Sequence, residues 1–350
     1  MMYFGKGNEN KSSSQLNSKK IIKTTFNILF PLVLGGGILY WMYRDFDFTN
    51  LRSTFIYEMN WWWMGFSMIF GVSAQVFRGL RWRQTLAPLN ENPRTMDCIH
   101  AIFLSYASSI IIPRIGEVAR CGVLTKYDNT SFTKSLGTVV TERIIDSLLV
   151  MGITALVFLF QIKVFLTFFD KTGTNFHDLL SDFSSTGYIV TTLCLIATIA
   201  LIYFVFRKLS ILSGIKRSID NIKAGIFSLK KVENKWLFTF YTLAIWGSYF
   251  LHYWITFKCF DFTENLGFTV AIVSFIVGSI SVIVPTPNGA GPWHFAVKTI
   301  LVLYGVAENN AVAFVLIVHT VQTALIPLLG VFSLTALMTR NSINKEQTRH

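Results

Sequence analysis

Apolar residues fall along this chain in blocks near the roughly 20 residues that an α-helix needs to cross a bilayer, with short polar stretches between them. Blocks at about 22–43, 61–77, 138–161, 187–206, 236–257 and 311–338 predict about six full spans. Two further runs are shorter. Residues 98–112 stop at Pro113, and residues 268–284 stop at Pro285, with 293–305 leading away again. Runs of this length that end in proline predict buried half-helices or re-entrant segments, since a broken backbone survives at membrane depth only inside protein or against a wet cavity. The shorter alternating segments of a β-barrel are not seen. The expected fold class is therefore an all-α membrane protein, a polytopic helix bundle with two broken-helix segments. Residues 1–20 are polar and basic and predict a mobile tail. Residues 21–338 form a single transmembrane domain on this reading, and 339–350 a short cytoplasmic tail.

Composition points the same way: 52% of the residues are hydrophobic, only 14% are charged, and mean hydropathy is +0.49. That balance excludes an ordinary soluble domain. The four cysteines contain no CxxC pair and lie in or beside apolar stretches, so neither a disulfide framework nor a zinc site is expected. The net charge of +12 would suit a nucleic-acid binder, but its placement at the ends of spans is explained by membrane orientation and no nucleic-acid partner is expected. The most basic loop, 207–235, holds eight Lys/Arg against two acids. With that loop in the cytoplasm, both termini lie there too, and the predicted location is the cell membrane, multi-pass. The first broken segment then enters and leaves from the cytoplasmic side and the second from the outside. Such inversion is the pattern of many transporters, whose site lies at the midplane where broken helices meet.

The residues of the two breaks carry the candidate chemistry. In Pro113 to Arg120, proline removes a backbone donor and Gly116 permits a tight turn. Arg114 and Arg120 are fixed cations whose guanidinium forks suit a phosphate, and Glu117 lies three residues from each. Glu142, Arg143 and Asp146 stand where an apolar helix is expected to begin, a position that favours carboxylates by the helix dipole; the alternative is that they pair with the arginines. Pro285, Pro287, Asn288, Gly289 and Gly291 cannot continue a helix, and His294 follows as a group able to titrate near neutral pH. Lys298 is suited to a lipid phosphate or to snorkelling outward. His252, His319 and Gln322 are expected to make interhelical hydrogen bonds, and Arg78, Arg81 and Arg83 to face anionic headgroups.

These segments resemble a flippase-like membrane family that includes the transmembrane region of lysylphosphatidylglycerol synthase. The likeness rests on Pro-x-x-Gly-Glu-x-x-Arg at 113–120, Glu-Arg-x-x-Asp at 142–146, and a late Pro-Thr-Pro-Gly-Gly-x-Gly segment, here with Asn288 in place of the first paired glycine. Asn tolerates the left-handed conformation such a turn needs. Pro-Trp-His at 292–294 replaces the common apolar-x-Glu ending, so no glutamate role carries over. The resemblance implies binding or movement of a lipid, with membrane lipids, anionic ones in particular, as partners and no cofactor or metal. The site residues expected from these motifs are Arg114, Gly116, Glu117, Arg120, Glu142, Arg143, Asp146, Pro285, Pro287, Asn288, Gly289, Gly291 and His294, with no catalytic role assigned. The synthase's aminoacyl-transfer domain has no counterpart in the 350 residues, so synthase activity is not expected. Two rival readings are an integral-membrane transferase, with Glu117, Glu142, Asp146 or His294 as general base, and a partner subunit of a lipid-modifying enzyme.

Overall fold

The structure, a computed structural model, describes residues 29–30, 32–44, 46, 54–161, 220, 224 and 227–347. The expected tail 1–20, the span at 187–206 and most of the basic loop 207–235 lie outside the described residues. The principal helices are α1 (Leu32–Tyr43), α2 (Trp61–Leu86), α3 (Thr95–Ile111), α4 (Gly116–Asp128), α5 (Phe132–Phe160), α6 (Lys235–Trp254), α7 (Phe268–Ser281), α8 (Pro292–Leu303) and α9 (Glu308–Gln347). Among the described residues the regular structure is entirely helical. Among the described residues two helices are long and apolar enough to cross a bilayer, Phe132–Phe160 and Glu308–Arg340.

The order of elements repeats. A long helix, a broken pair and a second long helix occur as α2, α3/α4, α5 and again as α6, α7/α8, α9. Each broken pair has its own apolar core. Around the first, Trp82 and Leu86 of α2 pack with Ile102 of α3, Cys121 and Leu124 of α4 and Val139 of α5. Around the second, Tyr253 and Phe257 pack with Val270 of α7, Val297 of α8 and Phe314 of α9, and α2 reaches this core through Met64. The outward faces of α5 and α9 keep large apolar side chains exposed, among them Leu148, Met151, Leu159, Leu328 and Val331. Contiguous apolar surface of this kind marks a face meant for lipid or protein.

Local chemistry explains the boundaries. Asn60 caps α2 by accepting from the N–H groups of Trp62 (3.1 Å) and Trp63 (3.4 Å), and Asn234 caps α6 by accepting from Leu237 (2.9 Å). At the first break Ile112 is extended, as a residue before proline prefers. Arg114 is left-handed (φ 66°), and α4 restarts at Gly116. Gly116 is where α4 folds back on α3: a Cβ there would stand 2.0 Å from the Ser105 carbonyl oxygen. At the second break Asn288, Gly289 and Gly291 all have positive φ (49°, 74° and 92°), and α8 restarts on Pro292.

Three helices run longer than the sequence suggested, α9 among them, which reaches Gln347 inside the stretch expected as a tail. The second span continues past residue 77 to Leu86, and α5 begins at Phe132 rather than near 138. Glu142 and Asp146 therefore lie about three and about four turns inside α5, so the helix dipole does not account for them. Far from the breaks, Asp97 of α3 and Asp128 at the end of α4 meet Arg340 of α9, with Arg340 also 3.4 Å from the Tyr127 carbonyl oxygen. Burial, helped by a hydrogen bond and repulsion from Asp97, pushes Asp128 up to about 7.

Gly116→Ala should lower stability by about 3 kcal/mol or more, the upper range of overpacking costs, because the obstacle is backbone; thermal unfolding of the purified protein reads this directly. Since Asp128 titrates higher folded than unfolded, its protonated form favours the fold, and that contribution fades as pH rises through about 7. The midpoint of unfolding should fall from about pH 4 to about pH 7 and level off above that, and Asp128→Asn should flatten that dependence.

Candidate functional site

Beside the first break lies a buried charge cluster. Arg78 and Arg81 sit three residues apart on α2, Glu142 and Asp146 four apart on α5, so each pair shares a helix face. Arg78 meets Asp146 at 2.7 Å, and Arg81 bridges Asp146 (2.8 Å) and Glu142 (3.6 Å). Arg120 of α4 reaches Glu142 at 2.8 Å and lies over the Trp82 ring, 4.6 Å from its centroid. Arg81 also donates to Thr242 of α6 (3.2 Å), and Trp82 donates to Thr138 (2.9 Å). All five charged side chains are buried, and the cluster carries one positive charge in excess. The expectation that Arg78 and Arg81 face lipid headgroups is overturned: extension of α2 carries both into the interior. Arg83, the third, donates to the Pro93 carbonyl oxygen (3.2 Å).

The remaining residues of the first break separate from this cluster. Glu117 pairs with Arg143 at 2.8 Å, both half-exposed, rather than with either of its neighbouring arginines. Arg114 is exposed and donates to the carbonyl oxygen of Ile283 at 2.9 Å, so the two breaks touch through this contact. Arg114 and Arg120 are therefore held by different partners, the Ile283 carbonyl oxygen and Glu142.

The second break is held from three sides. Asn288 donates to Thr323 of α9 (2.7 Å), and its carbonyl oxygen accepts from His319 Nε2 (3.1 Å). Pro327 lacks the N–H that would bind the Thr323 carbonyl, which leaves α9 locally unbonded at this level. His294 Nδ1 accepts from the Gly291 N–H (3.1 Å), which puts the proton of a neutral ring on Nε2, and its ring centroid lies 4.5 Å from that of His319. On the third side Gly35 of α1 lies against Thr286 and the Ala290 carbonyl oxygen. Pro285 and Pro287 flank the turn. Lys298 pairs with Glu308 (2.8 Å).

A cavity of about 330 Å³ opens against the second break, lined by α2, α3, α6, α7, α8 and α9 together with Val282 and Asn288. Gln75, one turn from Arg78, forms part of its wall. At another part Tyr106 and Tyr249 share a 2.6 Å hydrogen bond, with the Arg78 guanidinium 5.9 Å from the Tyr249 ring centroid. His252 Nδ1 donates to the Ser67 carbonyl oxygen (2.7 Å), and Gln322 donates to the His252 carbonyl oxygen (3.0 Å), closing α2, α6 and α9 over the space. A second cavity of about 440 Å³ lies beyond His319, between α1, His294 and α9. Sequence reasoning missed Arg78, Arg81, Gln75 and the tyrosine pair. The spacing of Arg78, Arg81 and Trp82 was the available signal, masked by ending the span at residue 77. Among the described residues no group of three or more His, Cys, Asp or Glu is placed to hold a metal ion.

Residues 28–330 match the family model described as the lysylphosphatidylglycerol synthase TM region. The chain belongs to this family. Membership and the apolar helices together make this a membrane protein of a lipid-related family, whose natural partners include membrane lipids. Comparison with curated proteins and with solved structures finds no match. Within this TM-region family chain, two of the three characteristic segments converge: Arg120 of the first and Glu142 of the second meet in the buried cluster, while the third, with Asn288, forms a wall of the cavity.

Replacing Arg120 with Met should cost about 3–5 kcal/mol, because it strands Glu142 as a buried charge held only by the longer contact to Arg81. The double variant Arg120→Met with Glu142→Leu should recover much of that loss, and a double-mutant cycle by chemical denaturation measures the coupling.

Proposed function

We propose that this protein binds an anionic lipid headgroup between its two breaks and carries it from one leaflet of the cell membrane to the other. The observation that supports this most directly is the position of the cavity: it lies between two interrupted helices, beside a buried cluster with one positive charge in excess. Ionisable groups at membrane depth are costly and are retained mainly for function. Arg114 stands in the first break and reaches toward the cavity rim, since it bonds Ile283, the residue after cavity-lining Val282. Its guanidinium is suited to hold the phosphate. Arg120, Glu142 and Asp146, with Arg78 and Arg81, act one layer behind it as a fixed electrostatic support. Gly116 lets α4 approach closely, Glu117 and Arg143 brace its outer face, and Pro285, Pro287, Asn288, Gly289 and Gly291 shape the opposite wall with His294 behind them.

In this reading the broken segments are re-entrant and inverted, both termini are cytoplasmic, and transport involves alternating exposure of the cavity to the two leaflets. The chain then acts as a transporter and not as a transferase.

Vesicles containing the purified protein and a fluorescent phosphatidylglycerol should show faster leaflet exchange than empty vesicles. Arg114→Gln should reduce the rate about tenfold or more, by loss of a charge-assisted contact, with the unfolding midpoint unchanged because Arg114 is exposed. Equal exchange in protein-containing and empty vesicles, for phosphatidylglycerol and for other anionic lipids, refutes the transport reading.

A further inference from the structure

Helices α3 and α9 form one flank of the central cavity, through Tyr106 on one side and Gln322, Thr323 and Ile326 on the other. Beyond the cavity the two helices run antiparallel and in contact. A Cβ on Gly330 would stand 2.5 Å from the Ala107 Cβ, His100 Nδ1 and Ser333 Oγ are 3.1 Å apart, and Asp97 pairs with Arg340. Pro327 separates this seam from the part of α9 that His319 and Thr323 tie to the second break, and α9 lacks a backbone bond there. The segment from Leu328 to Arg340 can therefore swing while the second break stays held.

At the far end of the seam Arg340 meets two acids. Asp128, at the end of α4, comes to 3.9 Å from the guanidinium and within hydrogen-bond reach of Asp97 itself. The two carboxyl side chains are 1% and 9% exposed, and Oδ2 of each accepts from no donor. A proton between them satisfies both, with Asp128 as the acid donating to Asp97, and leaves one anion on one cation. Without that proton two buried anions share one guanidinium and repel each other. The other charged and titratable groups nearby are otherwise engaged. His100 is bonded to Ser333, Lys126 lies over the Tyr127 ring, Arg83 donates to the Pro93 carbonyl oxygen and Lys134 pairs with Glu91. Arg94 supplies a backbone hydrogen bond to Asp128, and Cys98 packs in the apolar core.

We propose that Asp97, Asp128 and Arg340 form a proton-operated latch on the α3–α9 seam: a proton shared by the two acids keeps the seam shut, and its loss frees α9 beyond Pro327 and opens the flank of the cavity. This rests on the transport reading for what opening does, and adds how access is controlled. Shut, Asp128 titrates at about 7; open to water, a carboxyl returns to about 4. Closing therefore takes up a proton, and each pH unit between those values favours opening about tenfold, with no further change above about 7. Acidification on the side where Arg340 lies shuts the cavity.

The test uses the full chain in vesicles with equal pH on both sides. Spin labels on Met96→Cys and Met338→Cys, exposed positions flanking the seam, report its width by electron paramagnetic resonance; Cys194→Ser removes one native thiol, and the other three are buried. The distance should be short at pH 5.5 and gain a longer population by pH 7.5, and exchange of fluorescent phosphatidylglycerol should be about tenfold slower at the lower pH. Asp128→Asn keeps a neutral donor to Asp97 and should hold the short distance and slow exchange at both pH values. Arg340→Gln should give the long distance at both. A distance independent of pH in the native chain, or a pH response that survives Asp128→Asn, overturns the proposal. A pH-dependent distance in a protein that exchanges no lipid at any pH would instead remove the transport reading and leave the latch standing.

Discussion

Charge that cannot reach water is the constraint on which this architecture depends. Arg78, Arg81 and Arg120 face Glu142 and Asp146 with all five side chains buried, so that removing Glu142 strands Arg120 and removing Asp146 strands Arg78. The desolvation penalty is recovered only if α2, α4 and α5 hold their relative positions, with the hydrogen bond that Arg81 donates to Thr242 and the Trp82 ring against Arg120 completing the environment. The cluster therefore acts as a registry device: it fixes where the first broken pair stands against the long helices. Around it the apolar core of Trp82, Ile102, Leu124 and Val139 fills space without specifying direction.

The second broken pair is held by a different kind of contact. Backbone groups freed by the turn are met by His319 and His294 and the Asn288 side chain by Thr323, and small residues let neighbours approach: Gly35 against Thr286, Gly278 against the Trp293 ring. Hydrogen bonds of this kind are weaker and easier to exchange than buried ion pairs. A rigid electrostatic half and a more loosely bonded half thus meet through Arg114 and Ile283, with the cavity between them. That asymmetry suits a site in which one wall stays fixed while the other moves.

Much of the fold was legible in the chain because bilayer thickness and proline chemistry act locally. Block length marked the helices, and Pro113 and Pro285 marked where helices stop, since neither effect needs a partner. Asn288 in the left-handed region was legible for the same reason. Helix ends were less so: α2 outran its apolar block by nine residues because its last turns are buried by other helices, a stabilisation that no window of α2 itself contains. The pairing of charges was least legible. Spacing on one helix puts Glu142 and Asp146 on a common face, but only the tertiary structure brings Arg78, Arg81 and Arg120 opposite that face and sends Glu117 to Arg143. The sequence by itself determined that this is a helical membrane protein interrupted at two places; tertiary structure alone decided which charges are buried together and which polar groups face the cavity, because both depend on what arrives from distant parts of the chain.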